Sequence, residues 1–201
     1  MKIKKPKRQY NMDVRAKKVF DNEIRIMQSI FGLWEKLSIH EITLDMVARE
    51  AGVTVRTILR KFGSKEGLIE ASIEQDISNI KKKRDSAVGG DYLKALNILM
   101  KDYERIGDAA IRTLAIEHEL PIAKKILDSG RAYHREWCVK VFRPFLPDNG
   151  TPDYELKLLS FITATEFYLW KLLRRDLNKS PEATLSVFKS LVEGLIHQRK
   201  T

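Results

Sequence analysis

The chain reads as all-α: a small N-terminal three-helix unit containing a helix-turn-helix, with a larger helical body behind it, about nine helices in all. Three observations point there. Apolar residues recur at helical spacing along nearly the whole length. Thr, Ser and Pro stand where helices would start, and Gly or Pro where they would stop. No Val/Ile/Thr-rich alternating run is long enough to make a convincing strand.

The elements follow in order. Residues 1–12 form a polar arm with Pro6 and the cations Lys2, Lys4, Lys5, Lys7 and Arg8. From Val14 to Leu37, apolar residues at Val19, Phe20, Ile24, Met27, Ile30, Phe31 and Trp34 predict a helix with one buried face. Helices are expected over Thr43–Ala51, Thr54–Phe62 and Ser64 to about Arg84, each opened by a hydroxyl side chain able to accept from free N–H groups. The run Lys81–Arg84 places positive charge at a helix C-terminus, and Gly89-Gly90 breaks the chain. Further helical patterns occupy about 91–106, 108–118, 121–143, 153–177 and 181–198. Pro121, Pro152 and Pro181 suit first helical turns, Thr151 and Ser180 suit caps, and Pro144 suits the end of the long middle helix.

Composition narrows the class of function. The chain has 201 residues, 43% hydrophobic and 32% charged, enough for a core beneath a solvated surface. No apolar run is long enough to span a membrane, and the N-terminus has no signal-peptide pattern. The one cysteine, Cys138, fits a reducing compartment, so a cytoplasmic location is expected. The net charge of +10 is uneven: residues 1–65 carry 15 Lys/Arg against 7 Asp/Glu, and the remainder 22 against 20. A basic excess confined to one third of the chain suits a region that approaches a polyanion. A basic arm that only aids solubility would add to the same balance.

The informative stretch runs from Ile42 to Phe62. Val47, Ala48 and Ala51 give a short helix a small apolar face, and Gly52 follows where the chain must turn sharply. Val53 fills the turn, Thr54 caps the next helix, and Ile58 and Phe62 anchor it. Ala48 suits two helices that cross steeply. A generic helical hairpin shares this spacing. What separates the two is the face presented by Val55, Arg56, Thr57, Leu59, Arg60 and Lys61, which holds no acidic residue and suits a helix laid in a DNA major groove.

From about Ile24 to Leu68 the sequence resembles the tetracycline-repressor family of transcriptional regulators. The likeness rests on Phe31–Leu37 closing an amphipathic first helix, on Ile42–Val53, on Thr57–Phe62 and on Ser64–Leu68. It implies a DNA-binding domain over 1–65 with its basic arm, and a ligand-binding and dimerisation domain over 66–201. Thr54–Phe62 would be the recognition helix, with Val55, Arg56 and Arg60 toward base edges and Thr43, Thr57 and Lys65 near phosphates. Where the family often has Tyr, this chain has Leu59, which cannot bond a phosphate but can touch a thymine methyl. The stripes of the last two helices, Leu158, Phe161, Ile162, Thr165, Tyr168, Leu169 and Leu172, and Leu185, Phe188, Val192 and Leu195 with Leu191 beside them, can cover a core or pair with a second copy; the resemblance favours pairing and implies a homodimer on double-stranded DNA with a palindromic operator. The implied activity is repression, relieved by a small, mostly hydrophobic or aromatic effector.

Candidate effector contacts are Met100, Tyr103, His118, Tyr133, Trp137, Phe161 and Thr165, within a body also rich in Phe142, Phe145, Tyr168 and Trp170 and interrupted by His134, Thr163 and Glu166. Most such residues build ordinary cores. His134 and Cys138 are four apart on one helical face, a spacing open to a nucleophilic dyad or two metal ligands. No third ligand or oxyanion-hole motif accompanies them, so neither catalysis, metal nor cofactor is expected. An architectural or partner-controlled DNA-binding protein with a filled core and no effector is the alternative.

Overall fold

The computed structural model of the protein describes residues 12–87 and 89–197, with side chains from Phe20 onward. The cationic arm and the side chain of Val19 lie outside that range. The described elements are α1 (Met12–Trp34), α2 (Leu44–Ala51), α3 (Val55–Phe62), α4 (Lys65–Arg84), α5 (Tyr92–Ala115), α6 (Pro121–Phe142), α7 (Pro152–Ala164), α8 (Phe167–Lys171) and α9 (Pro181–His197). A short 3₁₀ turn, Arg143–Phe145, follows α6, and a π turn, Leu172–Asp176, follows α8. No strand occurs among the described residues.

Two apolar cores organise the chain. Ile26, Ile30, Ile39, Ile42, Val47, Ala48, Ala51, Ile58, Leu68 and Ile69 close the head formed by α1 to α3 and the start of α4. A larger core, with Leu96, Leu99, Tyr103, Trp137, Phe142, Phe161, Trp170, Phe188 and Val192 at its centre, unites α5 to α9. Phe142 and Phe161 stack there with centroids 4.2 Å apart. α4 belongs to both, because Leu68 and Ile69 enter the head core and Ile80 the body core.

Head and body are also joined directly. The Trp34 indole donates to Thr113 Oγ1 at 2.9 Å, and Arg112 donates to the Trp34 and Glu35 carbonyls at 3.0 and 2.8 Å. Arg105 meets Glu35 at 3.1 Å and Asp76 at 3.6 Å. Thus α5 grips the C-terminal end of α1 through side chains 70 or more positions away in sequence.

Several local expectations change. Phe20 projects into solvent, and the buried face of α1 runs through Ile26 and Ile30 instead. The patterns at 91–106 and 108–118 are one helix, α5, passing straight through Gly107. That glycine makes room for a neighbour: a Cβ there would lie 2.0 Å from the ring of fully buried Trp170. Conversely, the helix expected over 153–177 breaks at Thr165 and Glu166. Thr165 Oγ1 donates back to Phe161 O at 2.7 Å, its carbonyl accepts from the Tyr103 hydroxyl at 3.0 Å, and the Glu166 carboxylate caps Phe167 N–H at 3.1 Å. Side-chain bonds of this kind compete with the helical ladder. Ser180 caps α9 through Ala183 N–H, whereas the Thr151 hydroxyl donates to Asp148 O and does not cap α7.

Candidate DNA interface and sensor cavity

The turn between α2 and α3 is set by local chemistry. Thr43 Oγ1 accepts from Met46 N–H at 3.2 Å to start α2, and Gly52, at φ 63° and ψ 38°, ends it in the left-handed region. Val53 N–H then bonds back to Ala48 O at 2.9 Å, a Schellman-type closure. Thr54 Oγ1 accepts from Thr57 N–H at 3.2 Å to open α3, and Ser64 Oγ accepts from Gly67 N–H at 3.0 Å to open α4. Fully buried Val47 and Ile58 lock the two short helices together.

That lock decides which side chains α3 presents. Arg56, Leu59, Arg60 and Lys61 are exposed, whereas Val55 and Thr57 are half-buried and Val55 packs on the head core. The expectation that all six stand free is therefore corrected at those two positions: the N-terminal turn of α3 tucks toward the core that Ile58 enters. Lys61 pairs with Glu23 at 2.6 Å, so its charge is partly spent within the head. Arg56 and Arg60 have no acidic partner within ion-pair distance among the described residues. Thr43 is exposed, and a hydroxyl that accepts a cap bond still has its own hydrogen to donate. The Thr54 and Thr57 hydroxyls share one hydrogen bond at 2.9 Å, which leaves one hydrogen between them. Lys65 is half-buried at the head of α4, and burial lowers its ammonium pKa against an opposing pull from Glu66.

A second site opens where head meets body. A cavity of about 190 Å³ is walled by Ile30, Phe31 and Trp34 of α1, by Ile39, and by one face of α4 from Ile69 to Arg84. α5 contributes Tyr103, Ile106, Ala110 and Leu114, and α6 contributes Ile126, Leu127, Gly130, Arg131, Tyr133 and His134. Glu166, Phe167 and Tyr168 close it at the break after α7.

Of the seven expected effector contacts, Tyr103 and Tyr133 line this cavity. Met100, Trp137 and Phe161 fill the body core beside it, buried Thr165 holds the His134 ring, and His118 is exposed on the turn after α5. Phe31, Trp34, Asp76 and Arg84 join the wall without having been expected there. Asp76 had a visible signal: it falls among Ile69, Ile73, Ile77 and Ile80, a carboxylate set into an apolar stripe.

The polar groups here are strongly coupled. Arg84 Nε donates to Asp102 at 2.7 Å, both residues nearly removed from solvent, and its guanidinium lies over the Tyr133 and Trp137 rings at 5.2 and 5.6 Å. Burial, with Arg84 adding repulsion, pushes His134 down to about 3, so the ring is neutral at physiological pH. Burial raises the Cys138 thiol to about 12, which makes it a poor nucleophile although Sγ lies 3.7 Å from His134 Nε2. No cluster of metal-ligating side chains occurs among the described residues.

Residues 26–72 match the family model for bacterial regulatory proteins of the tetR family, a span that covers α2, α3 and the turn between them. No curated protein matches the chain in sequence. Among solved structures, a transcriptional regulator described as putative from Pseudomonas aeruginosa PAO1 superposes with TM-score 0.63 at 13% identity, over 87% of this chain and 89% of that one. NalD, the secondary repressor of the MexAB-OprM multidrug efflux pump in Pseudomonas aeruginosa, gives 0.56 at 16% identity, over 90% and 100%. A TetR transcriptional regulator from Rhodococcus sp. RHA1 gives 0.52 at 17% identity, over 90% and 99%. The head of the chain, over residues 26–72, thus carries the helix-turn-helix domain of the tetR family of bacterial regulatory proteins, which supports a DNA-binding regulator, and the chain as a whole shares the all-helical fold of these solved structures.

Proposed function

We propose that this regulator is a repressor that binds a palindromic operator as a homodimer and is released by a small, mostly hydrophobic effector. The observation that carries the reading is the shared wall of the cavity: Phe31 and Trp34 from the head face Tyr103 and Tyr133 from the body across it. A molecule seated there touches both parts, so its affinity depends on how they are arranged. Differential affinity for two arrangements is what a ligand-driven switch requires.

In this reading residues 1–65 form the DNA-binding unit and residues 66–201 sense and dimerise. Arg56 and Arg60 address base edges, with Val55, Leu59 and Lys61 beside them, while Thr43, Thr54, Thr57 and Lys65 lie along the phosphates. The pairing of α7 and α9 with a second copy is supported by exposed Leu156, Leu159, Val187 and Leu191 on those two helices. The repression carried out by NalD supports the sign of regulation, and a chain acting on DNA in a bacterium works in the cytoplasm.

The test is a paired measurement on one ligand panel. Small aromatic compounds that raise the melting temperature should, at the same concentration, dissociate the protein from DNA selected for binding. Compounds that stabilise the protein without weakening DNA binding, or a panel in which nothing stabilises it, would instead favour a regulator without a small-molecule effector.

A further inference from the structure

The polar groups on the cavity wall divide by what they still lack. The cationic donors are engaged. Arg84 is held by Asp102, and Arg131 makes two bonds to Glu117 at 2.5 and 2.9 Å and a third to the Tyr168 hydroxyl at 3.3 Å. The acceptors are not. Glu166 spends Oε1 on Phe167 N–H, and its Oε2 lies 4.0 Å from His134 Nε2. No Lys or Arg stands within ion-pair distance of that carboxylate among the described residues. Asp76 keeps an ion pair with Arg105 at 3.6 Å, longer than a hydrogen bond, so Glu166 is the carboxylate with the free oxygen.

His134 adds a third acceptor, and its tautomer follows from its neighbours. Thr165 Oγ1 commits its one hydrogen to Phe161 O, so at 3.1 Å it can only accept from His134 Nε2. The proton therefore sits on Nε2, and Nδ1 is a bare lone pair, buried with no partner. The neighbouring Tyr133 hydroxyl is also buried without one. An unsatisfied buried acceptor is costly, and His134 adds no positive charge to the wall.

Resting on the reading of this cavity as the effector site, we propose that it takes an aromatic cation: a protonated amine donating to Glu166, with the hydrocarbon part among Phe31, Trp34, Tyr103 and Phe167. Burial raises the carboxyls of both Glu166 and Asp76 by more than Arg131 and Arg105, respectively, lower them, and neutral His134 supplies no positive charge. Aromatic faces favour a cation further. Size agrees: a cavity of about 150 Å³ admits benzene, so 190 Å³ accepts one ring with a short chain.

Three probes of one skeleton test the proposal on the full chain by isothermal titration: phenylbutylammonium, phenylbutanol and phenylbutanoate. The ammonium should bind at least about tenfold tighter than the alcohol, since a charge-assisted bond contributes about 1.5–3 kcal/mol, and the carboxylate should bind weakest. Glu166→Gln keeps an oxygen for the Phe167 cap, so it should erase the ammonium's advantage and leave the alcohol's affinity in place. Equal or better binding of the alcohol or the carboxylate to the unmutated protein overturns the cation assignment and leaves an effector cavity standing. Failure of all three at millimolar concentration overturns both.

Discussion

Arg84, the last residue of α4, places Nε 2.7 Å from the Asp102 carboxylate of α5, with about 5–7% of either side chain exposed. This buried pair ties the one helix shared by head and body to the body's interior, next to the cavity. Removing one partner leaves an uncompensated buried charge. Asp102→Asn should therefore lower stability by about 3–5 kcal/mol in denaturant unfolding, whereas replacing both with apolar residues of similar volume should restore much of it. A loss below about 1 kcal/mol for the single variant would mean the pair is not buried in solution.

On DNA, the two classes of contact should separate. Arg56→Ala is expected to cost about 1–3 kcal/mol on the selected operator and little on scrambled DNA, because a guanidinium reads guanine O6 and N7 together. Lys65→Ala should weaken both DNAs alike and lower the salt dependence by about one counterion. Titrations on the two DNAs decide it, and equal losses for Arg56→Ala would remove that residue from base recognition.

His134 should make the fold acid-sensitive. Its folded value of about 3 lies below the 6.5 of a free imidazole, so protons bind the unfolded chain preferentially. Stability present above pH 6.5 is thus lost as pH falls toward 3. Between pH 7 and pH 5 this one group should account for about 2 kcal/mol, read as the difference between the pH profiles of the wild type and His134→Gln. Subtraction removes the carboxylates and the other histidines. Parallel profiles would show that the ring is not held neutral by burial.

Leu191 is 43% exposed on α9 and Leu156 68% exposed on α7. If these faces pair about a two-fold axis, Leu191→Arg is counted twice and weakens the dimer by about 3–6 kcal/mol. Sedimentation should then show a folded monomer. An unchanged dimer mass would move the interface elsewhere.

What the sequence made legible was local. Thr43, Thr54 and Ser64 cap within three residues, Gly52 turns within five, and Pro121, Pro152 and Pro181 open their helices, because these choices depend on near neighbours along the chain. Contacts across the fold were hidden. Gly107 reads as a break, and only the Trp170 ring, 63 positions on, shows it to be a clearance. Arg84 ends a cationic run that reads as charge at a helix C-terminus, but Asp102 draws it inside. Periodicity continues through Thr165, so the break that brings Glu166 and Phe167 to the cavity leaves no mark on the apolar pattern. Tyr103 and Met100 share a helix and similar spacing, and only the volume left between five elements makes one a wall and the other a filler.

The central claim, two heads engaging one duplex through α3, is met most directly by selecting bound sequences from a random DNA library with the purified full chain. The expected result is a palindromic consensus whose half-site centres lie about one helical turn, roughly 34–36 Å, or a multiple of it apart. An asymmetric single half-site, or no enrichment at all, would contradict it.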